Sequence, residues 1–160
     1  MSVKPRDTDL AAMTESLRLA RLCLEFNDVP VGAVVLDADG VIIGRGRNQR
    51  EQLHDPTAHA EVQALREAAQ LLGSWRLDNC TLVVTLEPCT MCAGAALNAR
   101  ISRIVFGADE PRTGAVGSVF DVVRDRRLLH TAEVLPGVMV DESAALLKDF
   151  FVTRRDTEVV

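Results

Sequence analysis

Residues 80–86, Cys-Thr-Leu-Val-Val-Thr-Leu, form a β-branched apolar run with almost no polar alternation. A strand buried on one face alternates polar and apolar residues, so a strand without alternation is covered on both. The run stops at Glu87-Pro88, and because proline is tolerated in a helix's first turn, a helix over 89–99 can follow at once. A strand of this kind requires a sheet with helices on both sides, and the rest of the chain supplies them. Leu10, Met13, Leu17, Ala20 and Leu24 recur at helical spacing, predicting an amphipathic helix over 9–26 with Thr8 or Asp9 as N-cap. Residues 31–36 and 41–44 read as a hairpin across Asp37-Ala38-Asp39-Gly40. After a polar loop, Val62, Leu65, Ala69 and Leu72 predict a helix over 58–72, capped by Gly73. A fourth strand is expected at 103–107, a fifth from 133 to 140 with an irregularity at Pro136-Gly137, and a closing helix over 144–151. The order α-β-β-α-β-α-β-β-α is that of an α/β domain with a mixed five-stranded sheet covered on both faces.

At 160 residues, 48% hydrophobic and 26% charged, the chain suits one domain over 1–160, with a core of about 8–155. A domain of this length buries roughly 70% of its unfolded surface and needs no disulfide scaffold. The first residues lack the apolar segment of a secretory signal, and no apolar stretch approaches about 20 residues. A cytoplasmic protein without membrane attachment is the expectation, so Cys23, Cys80, Cys89 and Cys92 are not expected to be disulfide staples. The net charge of −5 argues against a broad basic surface that coats nucleic acid nonspecifically.

Two segments place metal-ligand types at the start of predicted helices: His59-Ala60-Glu61 and Pro88-Cys89-Thr90-Met91-Cys92. Cys89 and Cys92 are three apart and share one helix face, close enough to bind one ion. A helix N-terminus favours the thiolate, the form that binds metal. With His59 the set suits tetrahedral zinc, one ion per subunit, and leaves the fourth position for water. Glu61 beside it is placed for general acid/base work. Residues i and i+2 of a regular helix diverge by about 200°, so His59 and Glu61 can face one ion only if the chain is still entering the helix there. A Cys-x-x-Cys pair alone also fits a redox dithiol or half of a structural zinc knuckle. A structural site needs a fourth protein ligand, and Cys23, Cys80, His54 and His130 form no second close pair. Cys23 and Cys80, in apolar segments, read as small buried hydrophobes.

His-x-Glu with Pro-Cys-x-x-Cys is the signature of the zinc nucleobase deaminases. Asn48, residues 54–61, residues 85–95, Arg100-Ile101, Phe106-Gly107 and residues 113–118 go further: over about residues 10–155 the chain resembles the bacterial tRNA-specific adenosine deaminases. The resemblance implies a three-layer α/β/α cytidine-deaminase-like fold and hydrolysis of adenosine to inosine at the wobble position of a tRNA anticodon. It also implies that His59, Cys89 and Cys92 hold zinc and that Glu61 shuttles protons. Asn48 would hydrogen-bond the base, with Val31 and the backbone at Ala60 forming the base pocket. Members usually form homodimers.

The residues themselves say less about RNA. Sixteen of the 18 basic residues are Arg, the better phosphate and stacking residue, though a codon bias toward Arg gives the same count. Residues 100–127 carry six Arg against four acidic residues, while the stretches on either side are net negative. Phe150 and Phe151, before Arg154-Arg155, include one core residue on an amphipathic helix; the other, taken as Phe151, is placed to stack on an unpaired base. Gly114 and Gly117 read as a turn, with close approach to phosphate as the alternative. Glu110-Pro111 stiffens the loop before Arg112, and the tail over 156–160 is acidic. The expected partner is a tRNA anticodon loop rather than DNA. The competing readings are a deaminase of a free base such as guanine or cytosine, and a noncatalytic zinc module.

Overall fold

In the computed structural model, which describes residues 3–157, helix α1 (Asp7–Leu22) continues into a 3₁₀ turn at Cys23–Phe26. Neither Thr8 nor Asp9 is its cap. Arg6 takes that position, and Asp9, three residues on, accepts the Arg6 backbone N–H at 2.8 Å. Asp9 is buried because it also receives a fork of two bonds from Arg103, at 2.6 and 2.8 Å, which ties α1 to the sheet. Strands β1 (Gly32–Leu36) and β2 (Ile42–Arg47) form the antiparallel hairpin. The Asp37 carboxylate accepts the Asp39 and Val41 N–H groups at the turn.

The polar loop contains one unexpected turn of helix, α2 (Arg50–Leu53). Buried Asp28 stabilises it by accepting the Glu51 and Gln52 N–H groups. Helix α3 (Ala60–Leu72) ends at Gly73, whose φ of +62° closes it without a Cβ penalty. Strand β3 (Thr81–Leu86), helix α4 (Thr90–Asn98) and strand β4 (Arg103–Ala108) follow as expected. Pro88 precedes the Cys89 cap of α4 and so lies outside the first turn. Strand β5 (Glu133–Leu135) is shorter than expected. Pro136 cannot continue the ladder, and Gly137 and Met139, at φ +77° and +51°, turn the chain into helix α5. That helix (Val140–Thr157) begins four residues earlier and runs six residues further than the apolar run indicates. Asp141 and Glu142 favour its N-terminus and Arg154 and Arg155 its C-terminus. Of the acidic tail, residues 158–160 lie outside the described residues.

The sheet order is β2-β1-β3-β4-β5, with β1 antiparallel to both β2 and β3, and with β3, β4 and β5 parallel. Pleating sends Val34, Val83 and Val105 toward Met13 and Leu17 of α1 and Leu146 of α5. Ala33, Val35, Leu82, Val84, Ile104 and Phe106 point the other way, toward α3 and α4. Both faces of β3 are therefore core, at about 1.5–3 kcal/mol for each fully buried aliphatic side chain, and this is why its sequence does not alternate. The result is the expected three-layer α/β/α fold with a mixed five-stranded sheet. Glycines on β2 let α3 lie close. A Cβ at Gly46 would fall 2.6 Å from the Ala64 nitrogen, and one at Gly44 2.9 Å from that of Ala68. No helix among the described residues is long and apolar enough to cross a membrane.

Candidate active site

The N-termini of α3 and α4 meet beside the C-terminal end of β3. His59 caps α3 and Cys89 caps α4, each with extended backbone (φ −73°, ψ 153° and φ −74°, ψ 177°), while Cys92 lies in the first turn of α4. His59 is thus not yet helical, which resolves the i, i+2 divergence and lets Glu61, in the first turn of α3, share its surroundings. His59 Nδ1 lies 3.7 Å from Cys89 Sγ and 3.5 Å from Cys92 Sγ. The three ligand atoms all fall within 4.8 Å of one another, the only such cluster found among the described residues.

Two thiols and an imidazole gathered around one point are the donor set of a three-ligand zinc site. Among the described residues no fourth protein ligand joins them. Cys23 and Cys80 are buried in apolar surroundings that push their thiols up, as core residues should be. The Cys89 thiol is brought down to about 4, first by the Cys92 thiol that donates to it and then by His59. Cys92 is pushed up by the same pairing and by burial. His59 is held above its ordinary value, chiefly by its bond with Cys89. Zinc binding requires two thiolates and a neutral imidazole, so loading the site releases protons. Glu61 is 4% exposed, and burial pushes its carboxyl up to about 7. A group that exchanges its proton near neutral pH is suited to general acid/base work.

His59, Glu61 and Cys89 floor a cavity of about 210 Å³, with Cys92 buried behind them. Pockets that enclose a whole drug-sized ligand run to ~300–1,000 Å³, so this volume suits one base. Asn48, Val31 and Ala60, expected at the base, and Phe151, expected to stack on an unpaired base, line this cavity together with His59, Glu61 and Cys89. Asn48 is 7% exposed, and its amide is oriented by donating to Val29 O at 3.1 Å and accepting the Arg50 N–H at 3.2 Å. One amide hydrogen and one lone pair remain for a ligand. Phe150 is the core member of the aromatic pair, and Phe151, 46% exposed, turns its ring to the cavity mouth. A second cavity of about 620 Å³ continues past Glu110 and Phe151, rimmed by Arg112, Lys148, Arg154 and Arg155.

The loop over 110–118 is visible in the sequence as a turn, but the role of Glu87 in holding it is not. The Glu87 carboxylate is 2% exposed and accepts the N–H groups of Glu110, Val116 and Ser118 and the Ser118 hydroxyl. Burial alone would raise it, but those four bonds keep it below the ordinary carboxylate range. Gly114 packs against this carboxylate, where a Cβ would collide with it. The glycine therefore serves packing inside the protein, and the alternative of approach to phosphate is not needed to account for it. The one hint in the sequence is a charge ending an apolar strand at Leu86-Glu87-Pro88.

The family model of the cytidine and deoxycytidylate deaminase zinc-binding region matches residues 6–108. A tRNA-specific adenosine deaminase of Haemophilus influenzae is 47% identical over 152 residues, covering 95% of this chain and 88% of that protein. A tRNA(Ile)-lysidine synthase of Deinococcus radiodurans is 53% identical over 156 residues, but the chain, 96% covered, spans only 27% of that longer protein. A solved tRNA:A34 deaminase, studied for A-to-I editing at the wobble position, superposes with a TM-score of 0.82 at 42% identity, covering 86% of this chain and 99% of the other.

Proposed function

Starting from the fact that the chain belongs to the zinc-binding cytidine and deoxycytidylate deaminase family, and to the tRNA-specific adenosine deaminases within it, we propose that it hydrolyses the wobble adenosine of a tRNA anticodon to inosine. The observation that carries this reading is the base-sized cavity that Asn48 and Phe151 line together with Glu61, His59 and Cys89, with Cys92 buried behind them in the same ligand cluster. The overall reaction takes up one water and releases ammonia, with the C6–N bond broken and a C6–O bond formed.

His59, Cys89 and Cys92 hold one zinc per subunit. When bound, the zinc would supply Lewis acidity that lowers the pKa of water in the site to about 7. Glu61 takes one proton from the attacking water and delivers it to the purine ring nitrogen, then takes the second from the new C6–OH and delivers it to the departing amino group, so the two hydrogens of water end on the ring and in ammonia. Asn48 bonds the base edge through its remaining amide hydrogen and lone pair. Val31 and the backbone at Ala60 flank the ring, and Phe151 stacks on a neighbouring unpaired base. The basic rim of the second cavity suits the adjoining phosphates, so an acidic protein can bind one RNA loop through a local basic face.

The same reading makes residues 1–160 one deaminase domain, active as a homodimer in the cytoplasm, with neither membrane nor DNA as partner. Incubation with an anticodon stem-loop carrying adenosine at the wobble position, beside free adenine, guanine, cytosine and adenosine, separates the substrate classes. Inosine in the stem-loop supports the proposal; turnover of a free base alone defeats it. Sedimentation at micromolar concentration tests the dimer.

A further inference from the structure

Resting on the reading above, we infer that Glu87 is a positioning residue: its buried carboxylate gathers residues 110–118 into the wall against which the target nucleotide is held. Those residues belong to no helix or strand; Ala115 and Val116 pack into the core, isolated bridges such as Cys89 to Gly114 add to this, and the rest of the anchoring comes from what the loop donates inward. Glu87 receives most of that. Oε2 accepts the Glu110 N–H at 2.9 Å and the Ser118 hydroxyl; Oε1 accepts the Val116 and Ser118 N–H groups at 3.0 Å each. Pro88 adds its carbonyl, which accepts the Ala115 N–H at 2.8 Å.

Two features separate positioning from direct contact with substrate. A carboxylate has about four acceptor sites, and all are taken by the loop, so none remains for a ligand. Glu87 borders the base cavity but is only 2% exposed, with its carboxylate oxygens engaged by the loop. The loop meanwhile turns Glu110 and Thr113 into the base cavity and Arg112 into its larger neighbour. Glu87 thus links the metal-bearing turn, two residues away at Cys89, to the opposite wall of the pocket.

Glu87→Gln tests this without changing side-chain size. An amide presents one oxygen, and with that oxygen serving Val116 and Ser118, its NH₂ can donate to the Ser118 hydroxyl but confronts the Glu110 N–H. The variant should therefore release the Glu110 end of the loop and leave the rest anchored. Measured on the wobble-adenosine stem-loop, KM should rise roughly tenfold or more, as for a stranded buried donor, with kcat and zinc content close to wild type. Amide hydrogen exchange at 109–113 should quicken. Ser118→Ala, which removes one donor and keeps the carboxylate and its three backbone bonds, should raise KM in the same direction by less.

A wild-type KM in Glu87→Gln, or loss of zinc and kcat with KM unmoved, overturns the inference. Should Glu87→Gln fail to fold, a wild-type KM and exchange pattern in Ser118→Ala overturns it equally. Exchange is read without substrate. An inactive wild type on the stem-loop would therefore defeat the proposed function while quickened exchange in Glu87→Gln still upheld the role of Glu87, and unchanged exchange would remove it.

Discussion

Substituting Gly46 by Ala should cost the protein its zinc before it costs it the fold. The first turn of α3 rests directly on β2, and a Cβ at Gly46 would sit 2.6 Å from the Ala64 nitrogen and closer still to the Ala60 carbonyl. Cβ atoms essentially never approach within 3.0 Å, so strand and helix must part by at least about 0.4 Å at Ala64 and by more at Ala60. His59 precedes Ala60 directly. Zinc–ligand distances tolerate about ±0.2 Å, so the displacement exceeds what the site can absorb. A loss of zinc affinity on the order of 10–100-fold is expected, the scale seen when groups supporting metal ligands are disturbed. Gly44→Ala is the control. It pushes on Ala64 and Ala68, a full turn or more beyond His59. Both variants should pay about 1–3 kcal/mol for overpacking, but Gly44→Ala should keep tighter zinc. Competition against a chromophoric chelator, alongside thermal melts, reads the two effects separately. Wild-type zinc affinity in Gly46→Ala, or equal losses in both variants, would refute the argument that β2 sets the position of His59.

Other outcomes follow from the same geometry. Glu61→Gln should keep zinc and melting temperature and lose about 10²–10⁴ in turnover; near-normal turnover on the stem-loop would remove Glu61 from proton transfer. Chelation should abolish activity and added zinc restore it, whereas Cys89→Ser should not recover fully under the same zinc; activity unaffected by chelation would exclude the metal role. Asp9→Ala leaves the 6%-exposed Arg103 side chain with only the Glu133 carboxylate, 3.6 Å away and 58% exposed. Breaking a buried pair costs about 3–5 kcal/mol, which at 2–4 °C per kcal/mol lowers the melting temperature by about 6–20 °C; a shift under 2 °C would show the pair to be dispensable. Burial opposes ionisation of Asp9, but the Arg103 and Arg6 bonds win and hold its carboxyl below 3.8. Its contribution is therefore complete above that value and lost as pH falls through the lower, folded-state pKa. The stability gap between wild type and Asp9→Asn, followed by urea melts, should narrow on acidification; a constant gap would contradict the assigned sign.

The parts of the molecule legible in the sequence are those set by local pattern. The unalternating run at 81–86 announced a central strand, and the apolar spacing of 62–72 its covering helix. His59, Glu61, Cys89 and Cys92 were legible because each pair sits within one helical turn. What remained hidden depends on contacts between distant segments. Asp9 looked like a cap because nothing nearby in the chain reveals Arg103, 94 residues away. Glu87 was silent for the same reason, since its four donors lie 23–31 residues downstream. The start of α5 is obscured because Asp141, Glu142 and Ser143 precede its apolar run, although Asp141 and Glu142 suit a helix N-terminus. The end of β5 is hidden because apolar residues 138–140 resume beyond Pro136-Gly137, where the ladder in fact stops.

Nucleoside analysis of an anticodon stem-loop carrying adenosine at the wobble position and at a neighbouring loop position bears most directly on the account. Incubated with the zinc-loaded protein, the wobble adenosine should become inosine stoichiometrically while the neighbour and free adenosine stay intact. Inosine at both positions, or deamination of the free nucleoside or base with none in the loop, would contradict it.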